Sequence, residues 1–264
     1  MKPSLIIFDI DETLYDNRKK SFPASTLDAL TKLKQAGHAL AIATGRGPHE
    51  LLDEIKELSI DFYILANGQL VMQNDEVIYE NAIELDILEE IMVAADTAGV
   101  YLGFSSATRT FLTGMTDEMR KAFAGYQLPM PEISKDIKSE EPIHQIWYFS
   151  KDYMAIAEKF KEKLRFLPWL RTPGADILPI GVSKALALTK MVEASAGDIY
   201  EKTVFFGDGM NDIELIEMAD IGVAMGNATP PVKEVANFVT KNIEDDGIYY
   251  ACEQLGLFET NANE

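Results

Sequence analysis

The chain has 264 residues, enough for one or two domains, and 47% are hydrophobic, so a sizeable core can form and a disordered composition is excluded. Its 24 basic and 43 acidic residues leave a net charge of −19, which argues against nucleic acid or an acidic membrane surface as partner. No apolar run reaches membrane-spanning length, no signal-peptide pattern opens the chain, and the single Cys252 rules out an internal disulfide framework and fits a reducing cytoplasm.

The apolar run Leu5-Ile6-Ile7-Phe8 predicts a strand over 4–8, buried on both faces as parallel sheets require. It leads directly into Asp9-Ile10-Asp11-Glu12-Thr13. Residues i and i+2 of an extended chain point the same way, so both carboxylates would leave the strand's carboxyl end toward one place. Open α/β sheets bind ligands there. Two aimed carboxylates can hold a hard cation and attack a substrate; alone, an Asp-x-Asp is also explained by a solvated turn. A helix over 26–35 ends near Gly37, and a second buried strand over 39–43 runs into Thr44-Gly45-Arg46-Gly47. A helix expected over 48–58 would then present its N-terminus, which suits anions. With a strand over 62–65, the alternation through residue 81 predicts a doubly wound parallel sheet.

A different pattern starts near Ala82: helix 84–98, strands 100–105 and 109–113, helix 117–125, strand 143–149, helix 153–164, and strands near 169–172 and 176–179. This is the pattern of an α+β unit with its own sheet. The first pattern resumes with helix 183–194, strand 203–206, helix 212–219 and short strands at 221–224 and 237–240. The expected organisation is therefore a core of residues 1–81 and 181–264 with a domain of residues 82–180 inserted. Lys184 falls in the first turn of its helix, where a cation opposes the helix dipole; either it answers a nearby charge or it is a solvated surface lysine. The strand at 203–206 ends in Gly207-Asp208-Gly209-Met210-Asn211-Asp212. Its glycines permit a tight turn and its acid density suits a hard cation, with an Asx-rich turn as the plainer reading. His38, His49 and His144 are scattered and match no zinc pattern. Cys252 lies in the apolar pattern of the last helix and reads as a buried thiol.

Taken in order, Asp9-Ile10-Asp11-Glu12-Thr13, Thr44-Gly45-Arg46, Lys184 and Gly207-Asp208-Gly209-Met210-Asn211-Asp212 resemble the four motifs of the haloacid dehalogenase superfamily. With Ala66-Asn67-Gly68 and Gly181-Val182-Ser183-Lys184, the chain is similar to its Cof-type sugar-phosphate phosphatases, and the insertion resembles their C2B cap. Glu12 and Ala185 depart from that pattern, standing where glycine is usual. The resemblance implies a Rossmann-like core with an α+β cap. It also implies Mg2+-dependent hydrolysis of small-molecule phosphate monoesters, sugar phosphates above all.

A phosphate monoester is an anion that resists attack by another anion, so a cation must bridge the two. By resemblance, Asp9 is the nucleophile that forms an aspartyl-phosphate, and Asp11 first protonates the leaving alkoxide and then deprotonates water. The N–H groups of Ile10 and Gly45, with Thr44, Lys184 and Asn211, would hold the phosphoryl oxygens. The metal would be bound by Asp9, Asp208 and the backbone carbonyl of Asp11, with Asp212 at or behind that shell. A phosphomutase, a non-catalytic sensor of a phosphorylated metabolite and a receiver-like signalling module are the rival readings. Arg46, Asn67, Arg109, Trp147, Arg171 and Asp176 are candidates to read the substrate, although packing explains each as well. Oligomeric state is open.

Overall fold

The structure is a computed structural model that describes residues 3–74, 76–125, 128–137, 141–169, 173–194 and 200–258. The chain begins with β1 (Leu5–Phe8), α1 (Ala24–Gln35), β2 (Ala39–Ala43), α2 (Asp53–Lys56), β3 (Phe62–Leu65), β4 (Leu70–Gln73) and β5 (Glu76–Glu80). It continues through α3 (Leu85–Ala98), β6 (Leu102–Ser106), β7 (Thr110–Leu112), α4 (Asp117–Gly125), β8 (Glu132–Ile133), β9 (Ile143–Tyr148), α5 (Met154–Phe160), β10 (Leu164–Pro168) and β11 (Ala175–Pro179). It closes with α6 (Lys184–Ala194), β12 (Thr203–Gly207), α7 (Ile213–Met218), β13 (Ile221–Ala224), α8 (Pro230–Val235), β14 (Phe238–Val239) and α9 (Gly247–Gln254).

These strands make two sheets. The first has the order β14-β13-β12-β1-β2-β3-β4-β5 and is parallel from β14 to β3. β1 sits at its middle with every residue fully buried, as a strand covered by helices on both faces must be. The second sheet, β10-β11-β9-β6-β7-β8, comes wholly from the inserted segment and has its own apolar cluster around Phe104, Ile146 and Tyr148. The protein is thus a Rossmann-like core carrying an inserted α+β cap. Among the described residues no helix is long and apolar enough to cross a membrane.

Four details differ from the sequence expectation. The alternation read through residue 81 hides an antiparallel hairpin, β4–β5, that extends the core sheet. The helix expected over 48–58 is broken. Pro48–Glu50 form one 3-10 turn, Leu51 and Leu52 are extended, and α2 follows. The break lets the Glu50 carbonyl accept from Arg46 Nη1 at 2.9 Å, which a continuous helix would not allow. The helix expected over 153–164 stops at Phe160, because Leu164 and Phe166 pair with β11. The chain adds β10 over Leu164–Pro168, which was not expected, while the strand expected near 169–172, with Arg171, lies almost wholly outside the described residues.

Candidate active site

The register of the core sheet gathers the motifs. Phe8 stands opposite Phe206 on one side and Ile42 on the other. The residues just beyond, Asp9, Asp208 and Thr44, therefore leave the sheet at one edge. The strand order reverses direction between β1 and β12, where open α/β sheets form a ligand crevice.

Lys184 opens α6 and is 1% exposed, which excludes the solvated-lysine reading. Its Nζ donates to Asp9 Oδ1 and to Asp212 Oδ1, both at 2.7 Å. Burial opposes its charge, but Asp212 and Asp9 outweigh burial and push its pKa up. The other Asp212 oxygen accepts the N–H groups of Asp208 (3.0 Å) and Gly209 (2.9 Å), tying the turn together. A Cβ on Gly207 would come within 2.7 Å of that carboxylate, so the turn requires glycine there. Asp212 thus has three donors already and is 0% exposed.

Asp9, Asp208 and Asp212 each offer a carboxylate oxygen within 4.8 Å of the others, against a single ammonium. Burial, and repulsion from Asp212 and Asp11 that Lys184 only partly offsets, push Asp9 up to about 7. Burial and repulsion from Asp9 and Asp212 push Asp208 up to about 9. An all-oxygen set with excess negative charge fits a hard divalent cation such as magnesium.

Asp11 faces a different partner. Arg46 Nε donates to its Oδ2 at 2.9 Å and Nη2 to its Oδ1 at 2.7 Å, while Asn17 Nδ2 adds a third bond at 2.9 Å. Burial alone would raise this carboxyl, but the Arg46 charge and these bonds hold it below the usual carboxylate range. Asp11's carboxylate, taken up by Arg46 and Asn17, is therefore outside the acidic cluster of Asp9, Asp208 and Asp212, contrary to its expected place among the metal ligands. Arg46 is held in turn by the Glu50 carbonyl. Glu50 is buried, accepts from Ser105 Oγ of the cap at 2.7 Å, and is pushed up to about 7 by burial. Asn17 and Glu50 were not singled out from sequence; no local pattern marks them, since their partners lie across the fold.

Ala66-Asn67-Gly68 turns the chain from β3 to β4 in the core, and its Asn67 side chain reaches the cap. All three have positive φ (48°, 55° and 100°), and a Cβ on Gly68 would collide with the Ser183 carbonyl. This strained turn presents Asn67 between two partners. Its Nδ2 donates to Asp176 Oδ2 at 3.1 Å, and its Oδ1 accepts from Asn211 Nδ2 at 2.9 Å. Asp176 also accepts from Trp169 Nε1 at 2.9 Å; burial nonetheless pushes it up to about 6.

A cavity of about 360 Å³ lies between the sheets. Asp9, Asp11, Thr44, Gly45, Arg46, Asp208 and Asn211 line its core side, and Gln145, Trp147 and Asp176 are on its cap side. Thr44 Oγ1 accepts the Arg46 N–H at 3.1 Å, leaving its own proton free to donate. The Ile10 side chain is buried in the core and its carbonyl takes the N–H groups of Thr13, Leu14 and Tyr15, so only its N–H could serve a ligand. Glu12 also lines the cavity, at φ 62°, the left-handed conformation that makes glycine the easier residue there. Ala185, the other departure, is buried in the core cluster.

Arg109 is away from the cavity, paired with Glu132 and Glu141 and stacked on Phe111. His38 is structural, between the Ser4 N–H and the Leu257 carbonyl. His144 is buried against Glu80, and His49 is exposed. Cys252 is buried in α9, where burial pushes its thiol up.

The sequence matches the haloacid dehalogenase-like hydrolase family over residues 6–252. The chain belongs to that family, and it is a phosphatase-type enzyme of it. YkrA of Bacillus subtilis strain 168 is 35% identical over 98% of this chain and 100% of its own length. The pyridoxal phosphate phosphatase YbhA of Escherichia coli K12 is 29% identical over 94% of this chain and 97% of its own. Among solved structures, the subclass IIB sugar phosphatase BT4131 superposes with a TM-score of 0.88 at 28% identity, covering 97% of this chain and 100% of that one.

Proposed function

We propose that the protein is a magnesium-dependent phosphatase of small phosphorylated metabolites that works through an aspartyl-phosphate on Asp9. The observation that carries this reading is the state of Asp9. Lys184 fixes one of its oxygens, the other takes no hydrogen bond from the described residues, and the side chain lines the cavity beside Asp208. The free oxygen attacks phosphorus, the ester P–O bond breaks, and the alkoxide takes a proton from Asp11. Water then attacks the phosphorus of the aspartyl-phosphate and gives its proton to Asp11, which frees Asp9 and inorganic phosphate.

Magnesium, held by Asp9, Asp208 and the backbone carbonyl of Asp11, would supply charge neutralisation at the phosphoryl oxygens. Lys184 and the Thr44 hydroxyl, with the N–H groups of Ile10 and Gly45, stabilise the same oxygens as charge develops. Asp212 keeps Lys184 in place. The Arg46 grip makes Asp11 a base, as the second half of the cycle requires; the first half needs that grip loosened so that Asp11 carries a proton.

In this reading residues 1–81 and 181–264 are the catalytic core and residues 82–180 the cap that selects substrate. Sugar phosphates are the class suggested by the resemblance and by the relative BT4131, whereas YbhA takes its name from pyridoxal phosphate. The test is release of inorganic phosphate from a panel of phosphorylated metabolites, with magnesium and with a chelator. Metal-dependent release supports the proposal. An isomeric phosphate ester as product would make the protein a mutase, and binding without release would make it a sensor.

A further inference from the structure

The two faces of the cap sheet do different things. On β9, Ile146 and Tyr148 point into the cap's own apolar cluster. Gln145 and Trp147, at the alternate positions, and Phe149 just past the strand's end all line the cavity. Trp169 joins them, its ring 5.3 Å from Phe149, and Phe123 lies 5.7 Å from Trp147. The result is a continuous aromatic wall facing the Asp9 end of the same cavity. Phe149 and Trp169 are only half-buried, so the wall is left open on the cavity side.

Two polar groups, Gln145 and Asp176, interrupt this wall, and Asp176 is already bonded to Asn67 and Trp169. Gln145 is 1% exposed, and its Oε1 has no hydrogen-bond partner among the described residues. Its amide stands beside the Asp176 carboxylate, which can only accept, so the carbonyl oxygen is the free end. Native proteins pair nearly all buried acceptors, so an orphan on a cavity wall calls for a donor from what fills the cavity. Saturated sugars would bring many hydroxyls to a wall whose polar side chains, among the described residues, are Gln145 and Asp176, whereas a flat ring stacks on it.

From this wall and the orphan acceptor set in it we infer that the cap selects phosphate monoesters whose alcohol part is a flat aromatic or heteroaromatic ring with an N–H or O–H donor at its edge. The inference rests on the phosphatase reading and replaces hexose phosphates as the preferred class. The ring lies against Trp147, Phe149 and Trp169, its donor meets Gln145 Oε1, and the phosphate lies at the Asp9 end.

Pyridoxal 5′-phosphate and glucose 6-phosphate are both esters of primary alcohols, so the bond broken is alike and kcat/KM compares the alcohol parts. The full-length enzyme with magnesium should favour pyridoxal 5′-phosphate by about tenfold or more, the scale of aromatic contact plus one satisfied hydrogen bond. Phe149→Leu should bring that ratio toward one. Gln145→Leu should narrow the gap between pyridoxal 5′-phosphate and benzyl phosphate, which has the ring without the donor. Equal or better turnover of glucose 6-phosphate overturns the inference and leaves the phosphatase reading standing; failure to release phosphate from any of the three counts against that reading instead.

Binding decides the inference even then. Trp147 and Trp169 are the chain's two tryptophans. In Asp9→Asn, benzyl phosphate should change their fluorescence at concentrations where inorganic phosphate does not, and an equal response to both would overturn the inference.

Discussion

Arg46 holds Asp11 through two guanidinium nitrogens, at 2.9 and 2.7 Å, in the planar fork that matches a carboxylate. This pair sets the ionisation of the residue assigned to proton transfer. Burial works against the Asp11 charge and Arg46 more than restores it.

Lysine cannot reproduce the fork. Arg46→Lys and Arg46→Ala should therefore let the Asp11 pKa rise. The folded-state pKa of Asp11 is depressed, so ionised Asp11 is secured above the ordinary carboxylate range and lost as pH falls through the depressed value. Weakening the grip moves that loss to higher pH. The acid limb of aspartyl-phosphate hydrolysis, followed in single turnover, should shift upward in both variants, because Asp11 acts as the base in that step; an unmoved limb would mean that Asp11 does not set it.

Lys184→Ala should cost about 3–5 kcal/mol in urea unfolding at neutral pH, because it strands buried carboxylates that had shared one cation. The raised pKa of Lys184 means that its own contribution is complete below the unfolded lysine range and is lost only in strong alkali. The pH dependence of the penalty comes from Asp9, already pushed up to about 7 with the lysine present. At pH 5 Asp9 takes a proton and the penalty should shrink. A penalty constant between pH 5 and 8 would place the cost in packing instead.

Metal removal should show the opposite sign from ordinary carboxylates. Asp9 and Asp208 have raised pKa values, about 7 and about 9. Between the unfolded value of 3.8 and these figures the native state binds more protons than the unfolded chain, so stability falls as pH rises. In EDTA the melting temperature should drop from pH 5 to pH 8.5. Magnesium should restore it, by more at the higher pH, with protons released on binding. A magnesium effect independent of pH would argue against these carboxylates as ligands.

Much of this site was legible because it is written in contiguous residues. The apolar run into Asp9 and Asp11 and the glycine-spaced turn around Asp208 both carry their geometry locally, as period-two strands and tight turns do. Lys184 could be placed at its helix start, but its burial depends on Asp9, 175 residues away, and Asp212, 28 away. Arg46 stood among the candidate substrate contacts, with packing an equal alternative, and its grip on Asp11 was hidden because it spans 35 residues. The break after Glu50 was hidden because Leu51 and Leu52 suit a helix as well as a strand. The hairpin β4–β5 was missed although Asn74, at φ 49°, is a turn residue by type. The aromatic wall had a signal in Gln145, Trp147 and Phe149 at alternate positions, but sequence alone does not say which face of β9 meets the cap's core.

The central claim is the covalent intermediate on Asp9, and chemical trapping tests it most directly. The enzyme with magnesium and excess p-nitrophenyl phosphate is quenched during turnover, reduced with borohydride and digested. An acyl phosphate is reduced to an alcohol, so aspartate at that site becomes homoserine. The account predicts homoserine at position 9, absent without substrate and absent in Asp9→Asn. Continuing phosphate release with residue 9 unreduced, or with the label at another carboxylate, would contradict it.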